Sequence, residues 1–123
     1  MASIRFVHFE IPGENPEALA KFYTQLFGWN VEKAPIPGYE YWICRTGDGP
    51  GIDGGITKRL YPHQIVTNFA SVDDIGAVLA KAKSLGATVT VPKSAVPGAG
   101  WYAVALDPQG NPFGFWKSDN SAK

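Results

Sequence analysis

Several features that define whole classes of protein are scarce or absent in these 123 residues. There is one cysteine, Cys44, so no disulfide can form within the chain, which fits a reducing compartment. Eleven basic and eleven acidic side chains cancel without clustering, so nothing favours nucleic acid or an anionic membrane as a partner. No apolar run is long enough to span a bilayer, and Met1–Arg5 lacks the order of a signal peptide. These absences predict a cytoplasmic protein with no nucleic-acid or membrane partner.

What the sequence does contain is an internal repeat. Residues 6–31, a strand-like segment followed by a helix-like stretch, are echoed by residues 65–89. A single shift of about 59 residues superposes Thr67 on His8 and also aligns the glycine-containing strands that close the two halves. A duplicated module with matching inner strands is expected to build a pseudo-symmetric cup, and such a concave surface is typical of a ligand site.

Hydrophobic periodicity gives both halves the same order of elements, βαβββ. In the first helix, apolar residues recur at the spacing of one helical face, namely Leu19, Phe22, Tyr23, Leu26 and Phe27. We predict one α+β domain over residues 1–123, in which two tandem βαβββ modules form a cupped, partly open mixed sheet with the helices on the outside. The predicted parts are a first module over about residues 4–58, a linker at 59–63, a second module over about 64–117 and a mobile tail at 118–123.

Three motifs follow one another along the chain. They are Val7-His8-Phe9-Glu10-Ile11-Pro12, Phe22-Tyr23-x-x-Leu26-Phe27-Gly28-Trp29 and Asp107-Pro108-x-Gly110-Asn111-x-Phe113. In this order and at these lengths they resemble the vicinal oxygen chelate superfamily, which includes glyoxalase I, bleomycin-resistance proteins, extradiol dioxygenases and many glyoxalase-like domains. The resemblance covers nearly the whole chain and implies the two-module fold, but a fold of this kind does not by itself define an activity.

The resemblance also implies where the metalloenzyme members hold a divalent metal, on the first and last strand of each module. The corresponding positions in this chain are His8, Gly55, Thr67 and Gly114. Only His8 is a ligand type, whereas a catalytic divalent ion generally needs about three protein ligands or more. A relocated site made of His8, Glu10 and Asp53 stays open, because strand alternation allows Asp53 to point the same way as Gly55. We predict no metal and no cofactor, with a divalent metal as the alternative.

Aromatic side chains on the predicted strands favour a planar or apolar guest in a cleft between the modules. Trp116 shares a face with Gly114, and Phe69 shares a face with Thr67. The glycines at positions 55 and 114 are expected either to clear space for this guest or to permit strand bending. Some of the aromatic residues are alternatively expected to fill the core. The candidate ligand-binding set is His8, Glu10, Trp42, Gly55, Thr67, Phe69, Trp101, Gly114 and Trp116.

The sequence leaves three functions open. The first is a metal-free glyoxalase-like domain that binds a small apolar or aromatic molecule, by sequestration as in the bleomycin-resistance proteins it resembles. The second is a lyase, isomerase or dioxygenase-type enzyme in which the candidate catalytic residues His8 and Glu10 transfer protons, with or without a rearranged metal site. The third is an interaction module that has lost its small-molecule site. For any of them we expect a homodimer, since a chain of this length leaves apolar sheet and helix surfaces to cover.

Overall fold

The computed structural model describes residues 3–123. Met1 and Ala2 lie outside the described residues, although the predicted domain and the segment tested for a signal peptide include them. The elements follow the order β1 (Phe6–Gly13), α1 (Pro16–Phe27), β2 (Asn30–Lys33), β3 (Tyr41–Arg45), β4 (Asp53–Lys58), β5 (Thr67–Ser71), α2 (Ile75–Ser84), β6 (Thr88–Val96), β7 (Gly100–Leu106) and β8 (Pro112–Ser118). The pattern βαβββ therefore occurs twice, which confirms the predicted α+β fold with tandem modules. Within residues 3–123, neither helix is long and apolar enough to cross a membrane.

The chain divides into two compact units. The N-terminal unit is Val7–Thr67, and the C-terminal unit is Asn68–Lys123 together with the described residues up to Phe6. In the N-terminal unit, β1 pairs in parallel with β4, and β3 pairs antiparallel with both β4 and β2. Helix α1 packs on one face of this sheet, where Ala20, Cys44 and Ile56 form the buried core.

Helix α1 is bounded by local signals that the sequence shows. The side chain of Asn15 accepts a hydrogen bond from the backbone N–H of Ala18, and Pro16 occupies the first turn, where a missing N–H costs nothing. Gly28 ends the helix with a positive φ of 73°, a conformation that favours glycine.

The apolar face of α1 is only partly covered. Leu19 and Tyr23 pack against the core, as the spacing predicts. Phe22, Leu26 and Phe27, which were expected on the same face, are each more than half exposed. An apolar stripe this wide extends beyond the width of the sheet surface that the helix covers, so one side of it remains at the surface.

The C-terminal unit repeats the arrangement. Strand β5 pairs in parallel with β8, and β7 pairs antiparallel with both β8 and β6. The carboxylate of Asp74 caps α2 by accepting from the N–H of Ala77. The buried core on the helix-facing side of this sheet is formed by Ala70, Val72, Ile75, Leu79, Ala103 and Phe115.

The C-terminal tail makes contacts that the sequence analysis does not anticipate. Residues 118–123 were expected to be mobile because they are small and polar. Instead, β8 extends to Ser118, the N–H of Asp119 donates to the carbonyl of Ala99, and the carbonyl of Ala122 accepts from the N–H of Gly98. Ala122 is buried. These contacts hold the tail on the turn between β6 and β7.

Candidate functional site

The face of the N-terminal sheet that is turned away from α1 carries the polar candidates. Phe9 packs against the helix-facing core, so strand alternation places His8 and Glu10 on the opposite face of β1. Ile56 is buried in the same core, so Gly55 faces the same way as Glu10, its direct partner across β1 and β4. The structure therefore brings together three of the predicted site residues.

Tyr41, at the start of β3, joins the two titratable side chains. Its hydroxyl oxygen lies 2.6 Å from Nε2 of His8 and also hydrogen bonds to the carboxyl group of Glu10. The phenol and imidazole rings are nearly parallel, with an interplanar angle of 12° and centroids 6.4 Å apart. We call His8, Tyr41 and Glu10 the polar cluster. Sequence reasoning missed Tyr41, although alternation with the core residue Cys44 places it on this face.

The polar cluster depends on the absence of a side chain at position 55. A β-carbon built on Gly55 would collide with the ring and hydroxyl of Tyr41. The prediction that this glycine clears cavity space is therefore wrong, because Tyr41 already fills the space. What the glycine provides is a path by which Tyr41 crosses β4 to reach β1.

Burial sets the protonation states in the polar cluster. It raises the pKa of Glu10 to about 7, with the hydrogen bond from Tyr41 opposing the shift. It lowers the pKa of His8, partly offset by the negative charge of Asp53, the partner of His8 on β4. Burial and the charge of Glu10 raise the pKa of Tyr41. Near neutral pH the imidazole and phenol are uncharged, and Glu10 lies close to its midpoint.

The residues present do not fit a divalent metal. Gly55 and Gly114 have no side chain, and the hydroxyl of Thr67 donates to the carbonyl of Ile65 at 3.1 Å. The carboxylate of Asp53 accepts hydrogen bonds from the backbone and hydroxyl of Thr46. Within residues 3–123 no group of three or more His, Cys, Asp and Glu side chains is placed to hold a metal ion, and this includes the relocated set with Asp53.

The C-terminal unit has an apolar counterpart of the polar cluster. Phe69 is the partner of Gly114 across β5 and β8, as Glu10 is of Gly55. A β-carbon on Gly114 would collide with the ring of Phe69, so the space expected to be open here is also filled. Tyr102 contacts the ring of Phe69 in an edge-to-face arrangement, with centroids 6.5 Å apart.

The tryptophans predicted to bind ligand fall on different faces. Trp116 is two residues from Gly114 on β8 and shares its face, as predicted. Trp42 packs against the core under α1, and Trp101 packs against the core under α2, so both lie on the helix-facing side of their sheets. The Nε1 of Trp101 donates to the carboxylate of Asp119 at 3.0 Å. Both tryptophans therefore contact the cores beneath the helices, on the faces opposite Gly55 and Gly114.

Each unit has four strands with mixed pairing, one covering helix and a parallel pair of inner strands, and this arrangement is a glyoxalase-type α+β fold. Residues 5–115 match the sequence model of the Glyoxalase/Bleomycin resistance protein/Dioxygenase superfamily. The chain belongs to this superfamily, which confirms the resemblance seen in the sequence motifs.

Individual relatives and solved structures are similar to the chain at low sequence identity. Over 109 residues the chain is 30% identical to CFP32 of Mycobacterium tuberculosis, provisionally named a glyoxylase, and the match covers 83% of this chain and 41% of that protein. It is 27% identical over 124 residues to the anthracycline biosynthesis protein DnrV of Streptomyces peucetius, with 89% and 45% covered. The chain thus spans less than half the length of these relatives. The structure of the hypothetical protein BH1468 from Bacillus halodurans C-125 has the same fold, with a TM-score of 0.70, 15% identity and 99% of each chain covered.

Proposed function

We propose that this chain binds a small, largely apolar or aromatic molecule whose polar head group hydrogen bonds to the polar cluster, and that it does so without a metal. The observation that carries the proposal is the Tyr41 hydroxyl, which links His8 and Glu10 on a sheet face that packs against no helix of its own unit. Partly buried polar groups arranged in this way favour a ligand that can donate and accept hydrogen bonds.

In the C-terminal unit, taken by itself, an aromatic surface also favours an apolar or planar ligand. On the face that carries Gly114, the aromatic side chains of Phe69, Tyr102 and Trp116 lie close together, and Trp116 is the direct strand partner of Tyr102. Flat apolar side chains favour planar guests through area burial and through ring stacking of about 0.5–1.5 kcal/mol per pair. The relative DnrV is named for anthracycline biosynthesis, and this name supports a small-molecule ligand.

A matched pair of probes tests the head-group contact. Naphthol and naphthalene share a planar ring system, and only naphthol carries a hydroxyl group. In equilibrium dialysis we expect naphthol to bind more tightly, and His8→Ala to weaken naphthol about 2- to 10-fold, the effect of a net hydrogen bond of about 0.5–1.5 kcal/mol. Naphthalene binding should not change.

Trp42→Phe is the control, because Trp42 lies on the helix-facing side of the same sheet. This variant should bind both probes as the wild type does. Equal affinity for the two probes, or equal losses for both in His8→Ala, would contradict the proposed role of the polar cluster.

A second function, proton transfer by a lyase or isomerase, is favoured by one observation. Glu10 has a pKa of about 7, and a group with this pKa serves as both general acid and general base at neutral pH. An enzyme of this type would exchange the acidic C–H proton of a small ketone for deuterium in heavy water. The exchange should disappear in Glu10→Gln, and a ketone series that shows no protein-dependent exchange would argue against this function.

We also propose that the chain works in the cytoplasm as a homodimer. The exposed side chains of Phe22, Leu26 and Phe27 on α1 support association with a second copy, because exposed apolar area often marks an interface. The buried thiol of Cys44, which has no cysteine partner in the sequence, supports a reducing compartment.

A further inference from the structure

We propose that Ser118 is a positioning residue that holds the indole ring of Trp116 in one orientation, and that this fixed ring makes the C-terminal unit prefer planar ligands. The ring belongs to an aromatic surface formed by Phe69, Tyr102 and Trp116. The inference rests on the proposed function, since it concerns the apolar part of the same ligand. It narrows that part from any apolar group to a planar aromatic ring system.

A hydrogen bond holds one side of the indole ring. Nε1 of Trp116 donates to the hydroxyl oxygen of Ser118 at 3.1 Å. The two residues are two positions apart on β8, so their side chains share the face that also carries Gly114. Trp116 is partly exposed, so a ligand can reach the ring while Ser118 holds it.

The six-membered part of the indole ring lies over Gly100 on β7. Gly100 is the direct strand partner of Ser118. A β-carbon built on Gly100 would lie 2.7 Å from Cζ2 and 2.8 Å from Cη2 of Trp116, closer than non-bonded carbon atoms approach, so the ring occupies the space of a side chain at this position. The contact at Gly100 and the hydrogen bond to Ser118 together define one orientation of the ring.

The whole aromatic surface is arranged in this way. Phe69 lies over Gly114, as Trp116 lies over Gly100. Tyr102 is the direct strand partner of Trp116 and contacts Phe69 edge to face. The three rings therefore occupy defined positions on the strands before any ligand binds.

A ring that is already fixed favours a planar guest for two reasons. Stacked and edge-to-face contacts depend on the angle between two rings, so they form only where the protein ring keeps its orientation. Immobilising a free side chain on binding also costs affinity, and Ser118 removes this cost at Trp116 in advance. A saturated guest of the same size gains contact area from the surface but makes no ring contact that depends on orientation.

Nuclear magnetic resonance of the ligand-free protein tests the positioning. The order parameter of the Trp116 indole N–H reports how freely the ring moves, and Trp116→Phe assigns its signal. We expect a high value in the wild type, a lower value in Ser118→Ala, and recovery in Ser118→Thr, which keeps a hydroxyl group. Contacts between the ring protons and the α-protons of Gly100 should follow the same order.

A matched pair of probes tests the preference for planar ligands. Naphthol and decahydronaphthol share a bicyclic skeleton and a hydroxyl group, and only naphthol is planar. In equilibrium dialysis Ser118→Ala should weaken naphthol about 2- to 10-fold, the effect of immobilising one side chain, and leave decahydronaphthol unchanged. Ser118→Thr should bind both as the wild type does. Ser84→Ala is the control, because it removes a hydroxyl group that bonds to the carbonyl of Lys81 on α2.

An indole order parameter that is the same in Ser118→Ala and the wild type would overturn the inference. Equal losses for naphthol and decahydronaphthol would also overturn it, since they would indicate general damage to the surface. A wild type that binds neither probe would refute the proposed function, whereas the ligand-free spectra would still decide whether Ser118 holds Trp116.

Discussion

The side chain of Tyr41 lies across the backbone of Gly55, in the space that a side chain at position 55 would occupy. The C-terminal unit repeats this relationship, with the ring of Phe69 over Gly114. At both positions the missing side chain allows close approach of an aromatic ring to the backbone. Gly55 and Gly114, two of the four positions that the family resemblance relates to metal ligands, are thus places where a ring crosses a strand.

This relationship predicts the effect of a single methyl group. Gly55→Ala should destabilise the protein by about 1–3 kcal/mol, the usual cost of overpacking, because the methyl group would displace the Tyr41 ring. It should also break the hydrogen bond between Tyr41 and His8. The free energy of unfolding in urea measures the first effect, and the nuclear magnetic resonance signals of His8 report the second.

Gly76→Ala is the matched control. The added β-carbon would lie 3.5 Å from the Asp74 carboxylate, an ordinary contact, and alanine favours a helix over glycine by up to about 1 kcal/mol. This variant should be as stable as the wild type or slightly more so. If Gly55→Ala proved equally stable, the close packing of Tyr41 on the strand would be incorrect.

The raised pKa of Glu10 predicts how stability depends on pH. Its folded-state pKa of about 7 lies above the ordinary value of 4.5, so the folded protein binds this proton more tightly than the unfolded chain does. The resulting stabilisation is present at pH values below the ordinary pKa and is lost as the pH rises through about 7. At about 1.4 kcal/mol per pH unit, the loss is up to about 3 kcal/mol.

Urea unfolding at about pH 5 and about pH 8 measures this loss. In Glu10→Gln the decline should largely disappear, since the carboxamide does not titrate. Glu17→Gln, at an exposed position on α1, should keep the wild-type decline. Because the lowered pKa of His8 makes stability rise with pH over part of this range, the difference between the wild type and Glu10→Gln isolates the contribution of Glu10. An identical pH dependence in these two proteins would show that Glu10 is not held near neutrality by its surroundings.

The sequence was sufficient to predict both helices, the order of helices and strands along the chain, and the faces of the inner strands. The alternation of Phe9 with His8 and Glu10 and the cap at Asn15 are local signals in the sequence, and the structure contains both. The Tyr41 contact was not predicted, because a sequence pattern assigns a side chain to a face without showing how far it reaches over the next strand. Alternation with Cys44 places Trp42 on the helix-facing side, whereas its aromatic character alone does not distinguish core packing from ligand binding.

The geometry at Gly55 and Gly114 supports the prediction that the protein holds no divalent metal. Because Tyr41 fills the space at Gly55 and Phe69 fills that at Gly114, purified protein should hold less than one equivalent of divalent ion. Chelation should leave the circular dichroism spectrum and the unfolding midpoint unchanged. Elemental analysis that finds a stoichiometric transition metal, removed by chelators with loss of structure, would contradict this expectation.

Self-association can be measured without a ligand. We expect a homodimer at micromolar concentration, because large apolar side chains such as Leu26 and Phe27 are more than half exposed on α1. Sedimentation equilibrium should then give about twice the chain mass of 13.3 kDa. A single species of 13.3 kDa across the micromolar range would rule the homodimer out.

The positions of the tryptophans predict which of them reports binding. A planar apolar molecule that contacts the face carrying Phe69 and Trp116 should quench the fluorescence of Trp116, whereas Trp42 lies on a helix-facing surface of the other unit. Trp116→Phe should therefore reduce the fraction of emission that saturating naphthalene quenches. Trp42→Phe should raise that fraction, because it removes emission that the probe does not reach.

Gly114→Leu is unsuitable for this test, since the new side chain would collide with Phe69 and destabilise the unit. Quenching that disappears in Trp42→Phe and persists in Trp116→Phe would place the bound molecule against a helix-facing surface and refute the proposed aromatic contact.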